Sequence, residues 1–291
     1  MVLYGLTSHT TRPITYLNDK YKLSYNSLAN YKGDNMSEPA VTTQDLGRVR
    51  IIRLNRPEAL NAMNQSVFSG LADALTDSEK ADDIAVAIVT GEGRAFCAGL
   101  DLTESGQTEE NNFPRLRESL GQFNKPLIAA VNGVGVGVGL TMLAYCDLVF
   151  MSRLAKLRTP FPQLGLAPEA GSSFTLASRI GWQNAAYVLM SGRFFTAEEC
   201  QEMGLAWRLS EPDDLLDDAL QVARELAENP IPSLVATKQL MLNAGLTVAS
   251  QAAHDRETDA YADLMGAPAN KEAFAAFRDK RAPDFTKIPG L

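Results

Sequence analysis

The sequence predicts a mixed α/β fold, and three observations carry that prediction. Short apolar, β-branched runs alternate with segments of helical spacing between residues 48 and 152. From residue 172 onward the pattern is mostly helical. Of the 291 residues, 45% are hydrophobic, enough for a sizeable core.

The elements follow in order. Residues 1–35 stand apart, with five of the eight tyrosines and no clear periodicity. They lack the apolar stretch of a signal peptide, and Asp19 and Asp34 break the acid-poor character of an organelle leader. Met36 opens what reads like an ordinary start. Residues 1–40 are therefore expected to be a disordered extension or sequence upstream of the true start. "RVRIIRL" (48–54) alternates and is β-branched, which predicts a strand. "NQSVFSGLADALTDSEK" has helical spacing, with Asn64 as its cap. "DIAVAIVTG" (83–91), "NKPLIAAVNG" (124–133) and "DLVFMS" (147–152) read as buried strands. A helix is expected from the glycines at 133–139 to Cys146. "DDLLDDALQVARELAEN" and "SLVATKQLMLNAG" predict two further helices. The division expected is a core over 41–205 and a helical region over 206–291.

Charge and composition exclude several functions. The net charge is -8 and the pI about 4.9, which argues against nucleic-acid or anionic-membrane binding. No apolar run approaches the ~18 residues of a membrane span. Cys97, Cys146 and Cys200 form an odd, unpatterned set, so neither a disulfide framework nor a zinc site is indicated. A reducing, cytoplasmic setting fits best. The two histidines are His9, in the tail, and His254, expected on a solvated helix face. Acid–base chemistry would then fall to a carboxylate.

"GVGVGVGLTML" (133–143) places glycines at 133, 135, 137 and 139. A dinucleotide fingerprint needs G-x-G-x-x-G/A. The third position is Val138, Leu140 or Met142 in the three registers, so none fits. Two readings remain: tight helix–strand packing, or a helix start whose free N–H groups approach a ligand. "GRAFCAGLDL" (93–102) also follows a buried strand and also turns on small residues. Two such turns can hold one oxygen between them.

These stretches, with "LNRPEALNAMN" (54–64), "TPFPQLGLAPEAGSSF" (159–174), "SGRFFTAEECQEMGLAWRL" (191–209) and "FRDKRAPDF" (277–285), resemble the crotonase, or enoyl-CoA hydratase/isomerase, superfamily. The resemblance covers roughly residues 45–285. It implies a crotonase-like spiral of ββα units with a helical C-terminal trimerisation region. It implies an acyl-CoA substrate, with coenzyme A entering as part of that substrate and no tightly bound cofactor or metal. A homotrimer or dimer of trimers is the assembly it implies. The oxyanion hole of such proteins maps onto the main-chain N–H groups of Leu100 and Val138. Around the acyl-CoA it places Ala59, Ala62, Ala98, Gly99, Asp101, Gly137, Phe161 and Lys280, the last toward a CoA phosphate.

The acids select the reaction. The two hydratase glutamates of the family map onto Thr141 and Phe161, which cannot activate water as two carboxylates do. Glu169, in "APEAGSSF", resembles the single catalytic glutamate of peroxisomal-type Δ3,Δ2-enoyl-CoA isomerases. Ala170 stands there in place of that subgroup's first glycine. The resemblance therefore implies a double-bond shift from 3-enoyl-CoA to 2-enoyl-CoA, with Glu169 acting alone. Thioester hydrolysis, decarboxylation, residual hydration or non-catalytic acyl-CoA binding are the alternatives.

Overall fold

Two β-sheets organise the chain in a computed structural model that describes residues 38–103, 111–242 and 246–288. The tail expected over residues 1–35 lies outside the described residues.

The larger sheet has six strands: β1 (Val41–Leu46), β2 (Val49–Leu54), β3 (Val86–Gly91), β5 (Leu127–Val131), β7 (Leu148–Ser152) and β10 (Arg208–Ser210), neighbours in that order. β1 and β2 form an antiparallel hairpin closed by Gly47 and Arg48, Gly47 at φ 64°. All further pairings, β2 to β10, are parallel. The apolar runs of the central strands are continuous because both faces are covered. Ile52, Leu54, Ala87, Val89, Leu127 and Ala129 enter one core with α1 (Gln65–Lys80) and α2 (Phe113–Gln122). Val49, Ile51, Val86, Ile88, Ile128 and Ala130 enter a second core with α7 (Leu215–Ala227). The period of two along each strand sorts them. Asn64 caps α1 as expected, accepting from the Val67 N–H at 3.1 Å. β10 and α7 continue this layer beyond residue 205. Leu215, Ala219, Leu220, Ala223 and Ala227 give α7 its buried stripe. Each large aliphatic side chain there contributes about 1.5–3 kcal/mol.

The smaller sheet positions the site. It contains β4 (Ala95–Cys97), β6 (Val134–Val136), β8 (Lys156–Arg158) and β9 (Phe195–Thr196) in that order. β4, β6 and β8 run parallel, so their C-terminal ends lie side by side. The glycine stretch is thus partly strand, since Val134–Val136 is β6. The helix after it is also shorter than the spacing predicts. One α turn, α3 (Val138–Thr141), passes into a 3-10 turn over Met142–Tyr145.

The remaining helices are α4 (Ser172–Ile180), α5 (Trp182–Ser191), α6 (Ala197–Glu202), α8 (Ile231–Leu242), α9 (Leu246–Leu264) and α10 (Pro268–Arg278). The helical C-terminal region predicted by the sequence is present. None of the helices among the described residues is long and apolar enough to cross a membrane.

Candidate active site

The four glycines have a physical explanation in the approach of two turns. A Cβ on Gly99 would lie 2.9 Å from the Val136 carbonyl oxygen. One on Gly139 would lie 2.9 Å from the Cys97 Cβ and closer still to the Cys97 carbonyl oxygen. Cβ atoms on Gly133 and Gly135 would strike Arg94 and Leu157. Gly137 has open space but sits at φ 54°, ψ −118°, a region closed to other residues in practice. The turn after β4 therefore packs directly on the turn after β6.

That contact brings two amides together. In the first turn, Ala98 N–H donates to the Leu60 carbonyl (3.0 Å) and Asp101 N–H to the Met63 carbonyl (3.0 Å), while Met63 N–H donates to the Gly99 carbonyl (2.7 Å). The Gly99 amide works against the burial that raises the Cys97 thiol. Among the described residues, no protein acceptor takes the Leu100 N–H or the Val138 N–H. These are the two predicted oxyanion donors. Val138 is the first residue of α3, where N–H groups have no intrahelical partner.

The segment over residues 56–63 fixes the first turn, and Asn61 fixes the segment. Asn61 is wholly buried at φ 56°. Its Oδ1 accepts from Arg56 N–H (2.9 Å). Its Nδ2 donates to the Glu92 (2.9 Å) and Ala95 (2.8 Å) carbonyls. Ala59 ends a short 3-10 turn here, and the Ala62 carbonyl accepts from Arg56 at 2.8 Å. Arg56 also reaches Asp101 at 2.9 Å. Burial opposes ionisation of Asp101, but hydrogen bonds from Thr103 and Arg56 outweigh it and hold its pKa below the usual value. Asp101 is a brace of the turn.

Glu169 meets the end of α3. Thr141 Oγ1 donates to its Oε1 at 2.7 Å. Desolvation pushes its pKa up to about 7, the Thr141 bond pulls it back, and the charge of Glu257 adds to the rise. Burial pushes the Cys97 thiol to about 12, and the Glu169 charge acts in the same direction. Glu169 likewise acts on Tyr145 and Tyr261. Glu169 is followed by Ala170 at φ 61° and Gly171 at φ 71°. This left-handed pair turns the chain into α4. The Ala170 carbonyl accepts from Tyr145 OH at 2.5 Å.

The two turns thus bring Ala98, Gly99, Leu100, Gly137 and Val138 together, Thr141 at the end of the same α3 turn holds Glu169, and Phe161 is buried in the adjoining core. Lys280 is exposed just beyond the end of α10, at φ 54°. It makes no ion pair among the described residues. Sequence reasoning missed Asn61, Tyr145, Glu257 and Tyr261. Asn61 carried one signal, an Asn in a turn where a left-handed residue is needed. Sequence reasoning gave Glu169 no partner, and the structure adds one, the Thr141 hydroxyl. His254 is half-buried on α9 rather than on a solvated face, and burial and Arg117 lower its pKa. No group of three or more His, Cys, Asp or Glu among the described residues is placed to hold a metal ion.

A family model described as enoyl-CoA hydratase/isomerase matches residues 46–288. The chain is 36% identical over 250 residues to the 1,2-epoxyphenylacetyl-CoA isomerase of Escherichia coli K12, covering 82% of this chain and 95% of the relative. It is 36% identical over 255 residues to the 2,3-dehydroadipyl-CoA hydratase of the same strain, covering 86% and 99%. Its fold is similar to the crystal structure of an enoyl-CoA hydratase/isomerase from Pseudoalteromonas atlantica T6c, with a TM-score of 0.81, 35% identity and coverage of 84% and 99%.

Proposed function

The chain belongs to the enoyl-CoA hydratase/isomerase family, and we propose that within it this protein is an isomerase that converts 3-enoyl-CoA thioesters to 2-enoyl-CoA. The observation that carries the reading is a desolvated carboxyl, Glu169, with a pKa of about 7, held by the hydroxyl of Thr141. The two positions at which the resemblance expects hydratase carboxylates hold Thr141 and Phe161.

The chemistry follows from this arrangement. Near neutral pH a carboxyl at about 7 gives up and takes back a proton with comparable ease. Glu169 removes a proton from C2. The thioester oxygen gains negative charge, which the Leu100 and Val138 amides receive. Each such donor supplies about 3–4 kcal/mol in comparable holes. Glu169 then returns the proton at C4, and the double bond lies between C2 and C3. The cycle balances with no cofactor beyond the coenzyme A carried by the substrate. We place Lys280 at a CoA phosphate, because the resemblance maps it there and it is exposed and unpaired among the described residues. We also propose homotrimeric assembly. Leu240 and Met241 on α8 and Val248 on α9 are 76%, 67% and 76% exposed, which leaves large apolar side chains for a second copy.

Hydration of 2-enoyl-CoA is the second reading, favoured by the hydratase among the relatives. Supplying 3-hexenoyl-CoA and following the conjugated thioester product tests the first. Isomerisation that is lost in Glu169→Gln supports it. A 3-hydroxyacyl-CoA product formed from crotonyl-CoA, with no double-bond shift, supports hydration.

A further inference from the structure

Helix α9 carries a buried carboxylate that the proposed reaction does not use. Glu257 is 5% exposed. Its Oε2 accepts from Gly171 N–H at 2.6 Å and its Oε1 from Ser173 N–H at 2.7 Å. Both donors belong to the first turn of α4, whose cap residue, Gly171, has no side chain of its own. No lysine or arginine pairs with Glu257 among the described residues. Burying a charge without a counter-charge is costly, and a serine or asparagine beside α4 would satisfy the same amides without it.

The place of these amides explains the charge. Gly171 is two residues from Glu169, across the left-handed pair at Ala170 and Gly171. Ser172 N–H bonds the Glu169 carbonyl at 3.1 Å. The other side of the turn is held by Tyr145, through the Ala170 carbonyl. α9 also closes on the turn through Ser250, which lies 3.0 Å from where a Gly171 Cβ would be. Any displacement of the two amides therefore moves the backbone that aims Glu169.

We propose that Glu257 is the positioning residue of the Glu169 base, fixing its turn through two amides and setting the charge beside it. The proposal rests on the reading of Glu169 as the acid–base group. The charge of Glu257 opposes ionisation of Glu169. The other groups facing Glu169 are Thr141 on α3, Tyr145 after it, Cys97 on β4 and Tyr261 on α9. Arg117 on α2 acts on Tyr145 and His254. Of these, Glu257 alone is a carboxyl.

The test uses the full chain and the variants Glu257→Gln, Glu257→Asp and Glu169→Gln. The first measurement is the titration of Glu169 by carboxyl 13C NMR, its signal assigned by loss in Glu169→Gln. The second is the pH dependence of kcat on 3-hexenoyl-CoA. Glu257→Gln removes the charge, so Glu169 should titrate lower by about half a pH unit or more, and the acid limb of kcat should move with it. The plateau of kcat should fall about tenfold through misaligned geometry, with KM little changed. Glu257→Asp keeps the charge and should leave the titration near that of the parent. An unmoved titration in Glu257→Gln, or equal titrations in the Gln and Asp variants, overturns the proposal. So does loss of the folded state in both, which would mark the residue as structural only. If the parent does not isomerise 3-hexenoyl-CoA, the proposed function fails while the NMR titration still decides the role of Glu257.

Discussion

Replacing Glu169 by glutamine should abolish the reaction and stabilise the protein, and the stabilisation should depend on pH. The amide keeps the volume and can still accept the Thr141 hydrogen bond, so the change is confined to the proton. In the folded chain the carboxyl titrates at about 7 against 4.5 in an open chain. Between those values the folded state binds more protons than the unfolded state, so this group lowers stability as pH rises through that window. The difference between 4.5 and about 7 corresponds to about 3 kcal/mol. Glutamine does not pay this term. Urea unfolding at pH 8 should therefore show Glu169→Gln more stable by up to about 3 kcal/mol, with the gain gone by pH 4.5. At about 2–4 °C per kcal/mol, the melting temperature at pH 8 should rise by roughly 6–12 °C. Isomerisation should fall by at least ~100-fold, the usual contribution of a positioned acid–base group. A stability difference that is the same at pH 4.5 and pH 8 would refute the desolvation argument, whatever happens to the rate.

Other perturbations separate the parts of the site. Thr141→Val removes the hydrogen bond that lowers the Glu169 pKa, so the acid limb of kcat should move to higher pH, opposite to Glu257→Gln; an unmoved limb counts against the bond. Gly139→Ala sets a methyl against Cys97, and overpacking of this kind costs about 1–3 kcal/mol. Its urea midpoint should drop and acyl-CoA affinity should weaken with it; a parent-like variant would mean that the two turns can part freely. Lys280 N–H bonds the Phe277 carbonyl and Arg281 N–H the Ala276 carbonyl, a helix end that favours glycine at position 280. Lys280→Gly should stabilise the fold by about 1 kcal/mol and raise KM for acyl-CoA; an unchanged KM removes Lys280 from the site.

Much of this arrangement was legible in the sequence, for reasons that differ by element. β3, β5 and β7 are covered on both faces and so appear as unbroken apolar runs. Asn64 declared α1 because a cap is a local device. β1 escaped notice because it is a half-exposed edge strand, and β6 because glycines mask its strand character. The glycines were legible as a helix start but not as the contact between two turns, which depends on pairing of β4 with β6. Glu169 and its resemblance were visible; its surroundings were not. Thr141 is 28 residues from Glu169, and Glu257 is 86 residues from Gly171. Only the tertiary fold closes those separations, and no local pattern encodes them.

The central claim is that one carboxyl, set against two amides, performs both proton steps. 3-Hexenoyl-CoA carrying deuterium at both C2 positions tests it most directly, with the product examined by NMR and mass spectrometry after brief turnover in ordinary water. Because Glu169 is desolvated and held by Thr141, the deuteron it removes should in part be returned before exchange. The account predicts 2-hexenoyl-CoA with deuterium at C4 as well as at C2. A 3-hydroxyhexanoyl-CoA product with no accumulation of the shifted alkene, or 2-hexenoyl-CoA whose C4 holds only solvent hydrogen from the first turnovers, would contradict it.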